Sequence, residues 1–302
     1  MRVVLFFIDG LGLAPAGENN PLATADTPVL NSLLGGLDLT SEAAGFSGSE
    51  AALLAIDATL GIPGCPQSAT GQTTLFTGRN AAMVLGRHLN GFPNATLRRL
   101  LADEGLLGKI NKAGHSATFL NCYRTSFFAE LDSGRRRFSA TTLMNFYAGL
   151  PFRTFRDMLN GEAVCADITN EWFRFKGYDL PAVSPELAGK RLAGVAHHYD
   201  FLLFEHFLTD HVGHKRCREK AGALTGVLDR FIGSALEGLD LSETLFVLTS
   251  DHGNFEDLQT AGHTQNPVPL LLIGARPREI RLPADLTGVA PFVLQALNAG
   301  TL

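Results

Sequence analysis

Residues 3–8 read VVLFFI and run straight into Asp9-Gly10; residues 201–209 read FLLFEHFLT and run into Asp210; residues 245–250 read LFVLTS and run into Asp251-His252-Gly253. These runs, and VPLLLI at Val268–Ile273, are short and apolar at nearly every position. A strand with one wet face alternates, whereas a strand apolar throughout is dry on both faces, as in a parallel sheet sandwiched between helices. Amphipathic segments lie between the runs. Thr27–Leu34 enters on Thr-Pro, Thr96–Asp103 and Ala221–Leu236 repeat apolar residues at helical spacing, and Ser184–Ala196 opens on a Ser cap followed by Pro185. The alternation predicts an α/β, doubly wound, mostly parallel sheet with helices on both faces. From Tyr123 to Pro181 the rhythm breaks into basic clusters, such as Arg135-Arg136-Arg137, and many aromatics. We read residues 1–122 and 182–302 as the core and 123–181 as a small inserted cap.

Composition narrows the function. With 45% hydrophobic and 18% charged residues in 302, the chain has enough apolar material for a large core and none of the signature of disorder. A formal net charge of −5 gives no global basic field, so binding to nucleic acid or to an anionic membrane is not expected. No apolar run approaches the roughly 18 residues that span a bilayer. The residues before Asp9 are too few for the apolar segment of a signal peptide. The four cysteines, Cys65, Cys122, Cys165 and Cys217, form no C-x-x-C pair. Free thiols and a cytoplasmic location are the expectation. The oligomeric state stays open.

The three strand-end aspartates carry the chemistry. Ligands of open α/β sheets bind at the carboxyl ends of the strands. Three carboxylates gathered there repel one another unless a cation sits between them. Histidines accompany them: His214 follows Asp210 in DHVGH, His252 follows Asp251, and His263 lies in HTQNPVP. Mixed carboxylate and imidazole donors suit Zn²⁺, Mn²⁺ or Fe²⁺ better than Ca²⁺ or Mg²⁺ alone. Asp210, His214 and His263 are one candidate ligand set; Asp9, Asp251 and His252 are a second. Of the remaining histidines, His206 falls inside a strand pattern and reads as a packed core residue, while His197 and His198 sit at a helix end.

A metal pair needs a nucleophile. Leu60–Arg79 reads LGIPGCPQSATGQTTLFTGR, a Gly/Pro loop leading into a helix. Ser68 stands where the N-cap is expected, with Thr70 as the rival hydroxyl. A helix start aims N–H groups and a positive dipole end at an anion, and a hydroxyl beside a metal ionises readily enough to attack phosphorus.

IDGLG at 8–12, DHVGH at 210–214, SDHGN at 250–254 and HTQNPVP at 263–269 resemble the metal motifs of cofactor-independent phosphoglycerate mutase and phosphopentomutase, of the alkaline phosphatase superfamily. The motifs keep the family's order and span nearly the whole chain. The resemblance implies two divalent ions, Mn²⁺ or Zn²⁺, and a phosphorylated Ser or Thr. Asp210, His214 and His263 then match one ion's ligands, and Asp9, Asp251 and His252, with the nucleophile, the other's. In the family the nucleophile lies ten residues before the glycine of a G-R pair; counting back from Gly78 selects Ser68 over Thr70. The cap here is much shorter than the mutases', and SATGQTT matches neither mutase closely, so the chemistry transfers and the substrate does not. The sulfatase branch is disfavoured, because Thr70 and Gln72 stand where it has Pro and Arg. The expected activity is phosphotransfer, as phosphomutase or phosphomonoesterase, on a small phosphorylated metabolite. Phosphodiester or phosphonate hydrolysis and a non-catalytic metal-binding module are the alternatives. A phosphorylated substrate also needs a cation away from the metals, and Arg124, just after the apolar run at Ser116–Leu120, is the candidate.

Overall fold

The computed structural model describes residues 1–133, 137–277 and 280–299. Its strands are β1 (Arg2–Ile8), β2 (Ala51–Ile56), β3 (Ala117–Phe119), β4 (Cys122–Tyr123), β5 (Arg153–Thr154), β6 (Phe201–His206), β7 (Thr244–Thr249) and β8 (Val268–Gly274). Six of them form one sheet in the order β2-β8-β7-β1-β6-β3, and β4 and β5 form a short parallel pair. The strands β7, β1, β6 and β3 run parallel. At the other edge, β8 is antiparallel to β7, and β2 is antiparallel to β8. The expectation that VPLLLI is a parallel strand is thus corrected: continuous apolarity reports burial of both faces and carries no information about direction. The edge strand AALLAI (Ala51–Ile56) has no counterpart in the sequence reading.

Burial on both faces is the reason β1 is apolar throughout. Val4, Phe6 and Ile8 enter one core layer with Leu192 and Phe231, from the helices Pro185–Ala196 and Arg218–Glu237. Val3, Leu5 and Phe7 enter the other with Phe76, Ile110 and Val293, from the helices Ser68–Thr77, Leu106–Lys112 and Val289–Asn298. Each such side chain contributes roughly 1.5–3 kcal/mol on burial. The ring of Phe6 stacks on Phe204 at 5.4 Å and meets the edge of Phe231 at 5.3 Å, which ties the middle of the sheet to the long helix above it. Gly189 allows the two outer helices to touch, since a Cβ there would lie 2.5 Å from Phe231 O.

The segment 123–181 contributes to both layers. Phe127, Phe138, Leu143 and Met144 join Phe76, while Met158, Val164, Cys165 and Leu180 join Phe204. Its aromatic residues therefore belong largely to the shared core rather than to a separate one. Arg135 and Arg136 lie outside the described residues. The four cysteines are free thiols, and those of Cys122 and Cys165 are buried side by side. No helix among the described residues is long and apolar enough to cross a membrane.

Candidate metal centre and substrate cavity

Because β1 lies between β7 and β6, three neighbouring strand ends deliver the three aspartates to one place. Asp9 follows β1, its N–H donating to His206 O at 2.8 Å. Asp251 follows β7 and is fully buried. The third differs from the sequence reading. The strand β6 stops at His206, and Asp210 sits in the first turn of the helix Leu208–Lys215. That placement sets Asp210 and His214 one turn apart on the same helix face, with His214 Nε2 3.4 Å from Asp210 Oδ1. Gly10 has φ +72°, and a Cβ there would lie 2.9 Å from Asp210 Cβ, so the turn after Asp9 needs glycine on both counts.

The two histidine-containing sets assemble as two adjacent groups, Asp210, His214 and His263, and Asp9, Asp251 and His252; within each, the potential ligand atoms lie within 4.8 Å of one another. The imidazoles of His252 and His263 stack with centroids 3.7 Å apart, joining the groups. Hydrogen bonding dictates which nitrogen is free. His263 Nδ1 faces Pro66 O at 2.8 Å and His252 Nδ1 faces Gly253 O at 3.3 Å. A carbonyl only accepts, so each Nδ1 carries a proton, and Nε2 is the nitrogen turned towards the carboxylates and available to a cation. His263 Nε2 is 3.5 Å from Asp210 Oδ1, and His252 Nε2 is 3.2 Å from Asp9 Oδ1.

The electrostatics are those of a site short of positive charge. Burial and the neighbouring Asp251 hold the Asp9 carboxyl well above the usual range, against the pull of His252. Burial opposes charging of His252, but Asp251, Asp9 and Asp210 together push it up to about 10. Burial is likewise outweighed at Asp210, which His263, His252 and Asn254 hold well below its ordinary value. Asp9 Oδ1 and Asp251 Oδ2 are buried without a hydrogen bond. Orphaned carboxylate oxygens gathered with imidazole Nε2 atoms are the donor chemistry of a divalent cation, which would take the place of the imidazole proton.

Ser68 and Thr70 part company here. The N-cap of the helix Ser68–Thr77 is Gln67, so Ser68 is the first helical residue and not the cap. Its Oγ lies 3.0 Å from His252 Nε2, facing the second group. Thr70 is fully buried; its hydroxyl donates to Gln67 O and accepts from Leu89 N–H.

Several residues that the sequence reading did not single out hold this arrangement. Glu256, buried, accepts from Gly12 N–H at 3.0 Å, Asn254 N–H at 2.7 Å and Asn266 Nδ2 at 3.0 Å, and also from the Thr264 hydroxyl, so one carboxylate fastens three of the motif loops. Asn254 Nδ2 donates to Asp210 Oδ1 at 2.7 Å, and Gln72 Nε2 to Asp9 Oδ2 at 3.3 Å. The pattern SDHGNFE hints at Asn254 and Glu256 only by proximity to Asp251.

A cavity of about 580 Å³ opens over Asp9, Ser68, Asp210 and His214 and extends to Arg124, Arg137 and Glu205. Arg124 donates to Tyr178 Oη at 2.9 Å and pairs with Glu130; these partners raise its pKa. Burial pushes Glu205 up to about 7, against a hydrogen bond from Thr141. Among the histidines, His206 is fully buried with Nδ1 on Ala166 O at 2.8 Å, and His197 Nε2 contacts Gly238 O at 3.0 Å, both away from the two groups. His211 lines the cavity, where burial lowers its pKa.

Residues 177–300 match the family described as the Metalloenzyme superfamily. A 2,3-bisphosphoglycerate-independent phosphoglycerate mutase of Dinoroseobacter shibae is 33% identical over 130 residues, which cover 40% of this chain and 26% of that relative. The chain thus aligns with about a quarter of the length of the curated relatives it matches. Among solved structures, phosphoglycerate mutase of Leishmania mexicana superposes with a TM-score of 0.51 at 13% identity, over 98% of this chain and 95% of that one. Alkaline phosphatase from the Antarctic bacterium TAB5 superposes with a TM-score of 0.53 at 12% identity, over 99% and 98% of the two chains. Residues 177–300 thus resemble the Metalloenzyme superfamily, and over nearly all its length the chain has the fold of phosphoglycerate mutases and alkaline phosphatases.

Proposed function

We propose that the protein is a metal-dependent phosphotransfer enzyme, a phosphomutase or a phosphomonoesterase, that passes a phosphoryl group of a small phosphorylated metabolite through Ser68. What supports the reading is Ser68 Oγ, 3.0 Å from His252 Nε2, on the first turn of a helix whose start has no side-chain cap. The donor set fits two divalent cations, Mn²⁺ or Zn²⁺: Asp210, His214 and His263 would hold one, and Asp9, Asp251 and His252, with Ser68, the other. When bound, the ions supply positive charge at the phosphoryl oxygens and make the Ser68 hydroxyl easier to ionise.

The remaining work falls to the chain. The uncapped first-turn N–H groups present a positive helix end to an anion at Ser68. Gln72 restrains Asp9, Asn254 restrains Asp210, and Pro66 O restrains His263. The Ser68 Oγ–phosphorus bond forms as the ester oxygen–phosphorus bond breaks. Passing the group on to water makes a phosphatase; passing it to a second hydroxyl of the substrate makes a mutase. Acid quench of a brief reaction with Mn²⁺, followed by peptide mass mapping, is expected to find phosphoserine at Ser68 in the native protein and none in Ser68→Ala. Label on Thr70, or on no residue during turnover, overturns the assignment.

A further inference from the structure

The cavity in front of Ser68 contains a buried carboxylate that the phosphoryl chemistry does not use. Glu205 is the penultimate residue of β6, is 7% exposed, and lines the cavity together with Asp9, Ser68 and Asp210. Its position is over-determined. Asn121 grips its backbone in both directions, Nδ2 donating to Glu205 O at 2.7 Å and Oδ1 accepting from Glu205 N–H at 2.9 Å. Thr141 donates to Oε2 at 2.6 Å, and Thr141 is itself in a hydroxyl chain that runs through Ser139 and Thr142 to Tyr123. Oε1 has no hydrogen-bond partner, and the carboxylate has no cationic partner, among the described residues. A buried carboxylate with one oxygen anchored and one free is costly unless something supplies a donor to it. Arg124, in the same cavity, is already engaged by Tyr178 and Glu130.

Resting on the phosphotransfer reading above, we propose that Glu205 Oε1 is a substrate-binding acceptor, and that the substrate is a phosphate monoester whose non-phosphate end carries a hydrogen-bond donor, a hydroxyl or an ammonium group, rather than a carboxylate. A second anion at that end would be set against the Glu205 carboxylate, whereas an O–H or N–H⁺ completes the hydrogen bonding of Oε1. The walls are consistent with a compact organic moiety: Phe92, Phe127, Phe138 and Phe173 line the same space.

The test uses the Mn²⁺-loaded protein and a matched set of aryl phosphates: phenyl phosphate and its para-hydroxymethyl, para-aminomethyl and para-carboxy derivatives. The readout is the ratio of kcat/KM between members of the set, compared between the native protein and Glu205→Gln, so that leaving-group effects cancel. The native protein is expected to favour the hydroxymethyl or aminomethyl ester over the carboxy ester by at least tenfold. In Glu205→Gln the aminomethyl preference falls by tenfold or more, because the amide lacks the charge. If the substrate donor is a hydroxyl, the hydroxymethyl ratio falls instead upon Glu205→Ala and is partly kept by Glu205→Gln, which still accepts. Turnover with the same ratios in all three proteins, or a native preference for the carboxy ester, overturns the Glu205 assignment while leaving the phosphotransfer reading standing. Absence of turnover on every ester, with no phosphoserine, overturns the reading and the assignment together.

Discussion

At the scale of single residues, the site is built from side chains whose second atom is already spoken for. His263 and His252 spend Nδ1 on carbonyl oxygens, and Asp210 spends Oδ1 partly on Asn254. What is left over points inward. His206 shows the opposite case, a histidine with no work to do at the site. It is fully buried, with Nε2 unpaired, and burial lowers its pKa to about 4. A histidine kept neutral by folding binds its proton less tightly in the native than in the unfolded chain. Its contribution to stability is therefore whole above the ordinary pKa near 6.5 and is lost as pH falls from there towards 4. Urea unfolding of the native protein is expected to lose about 2 kcal/mol from this residue between pH 6.5 and 5. His206→Gln, whose amide can still donate to Ala166 O, should remove that share of the slope. An identical slope in both proteins would show that His206 is not kept neutral.

At the scale of elements, the decisive contact is between the helix Ser68–Thr77 and the end of β7. Gly71, on the first turns of that helix, is where the two backbones meet: a Cβ there would lie 2.6 Å from Asp251 O and 3.0 Å from Asp251 Cβ. The helix can thus approach closely enough for Ser68 to reach His252 only because position 71 has no side chain. Gly71→Ala gains helix propensity in isolation, yet is expected to destabilise the protein by roughly 1–3 kcal/mol by overpacking. It is also expected to lower kcat by more than tenfold through displacement of Ser68, since positioning errors of that size are expensive. A variant as stable and as active as the native protein would mean that the helix and strand are held less tightly than their contact implies.

At the scale of the whole molecule, the centre is a concentration of buried ionisable groups that a bound cation would relieve. Without cations, burial and then the charge of Asp251 raise the pKa of Asp9. Binding to the native state alone adds about 2.7 kcal/mol at a hundredfold excess over Kd. Elemental analysis of protein prepared without chelator is expected to find up to two transition-metal ions per chain, and chelation is expected to lower Tm by several degrees. Asp251→Ala should reverse sign between buffers. With Mn²⁺ it is less stable than the native protein, having lost a ligand. With chelator it is as stable or more so, having lost a buried repulsion. The same ranking in both buffers would argue that Asp251 is structural.

The amino-acid sequence by itself determined the class of fold and the inventory of chemical groups. Strands dry on both faces must be apolar throughout, and the Asp and His residues of the motifs sit within a few positions of those strands, so local patterns suffice to find them. What only the tertiary structure decided depends on contacts between distant positions. The direction of β8, and the existence of β2 beside it, follow from pairing that no apolar run encodes. Glu256 joins loops more than 240 residues apart through its bond to Gly12 N–H, and the Glu205 carboxylate is anchored by Thr141, 64 residues away on helix Ala140–Tyr147. The contrast between Ser68 and Thr70 is of the same kind. Two residues apart on a helix, their side chains point about 200° apart. Spacing alone names both hydroxyls, and only the packing of the helix against Asp251 turns Ser68 towards His252 and Thr70 into the core.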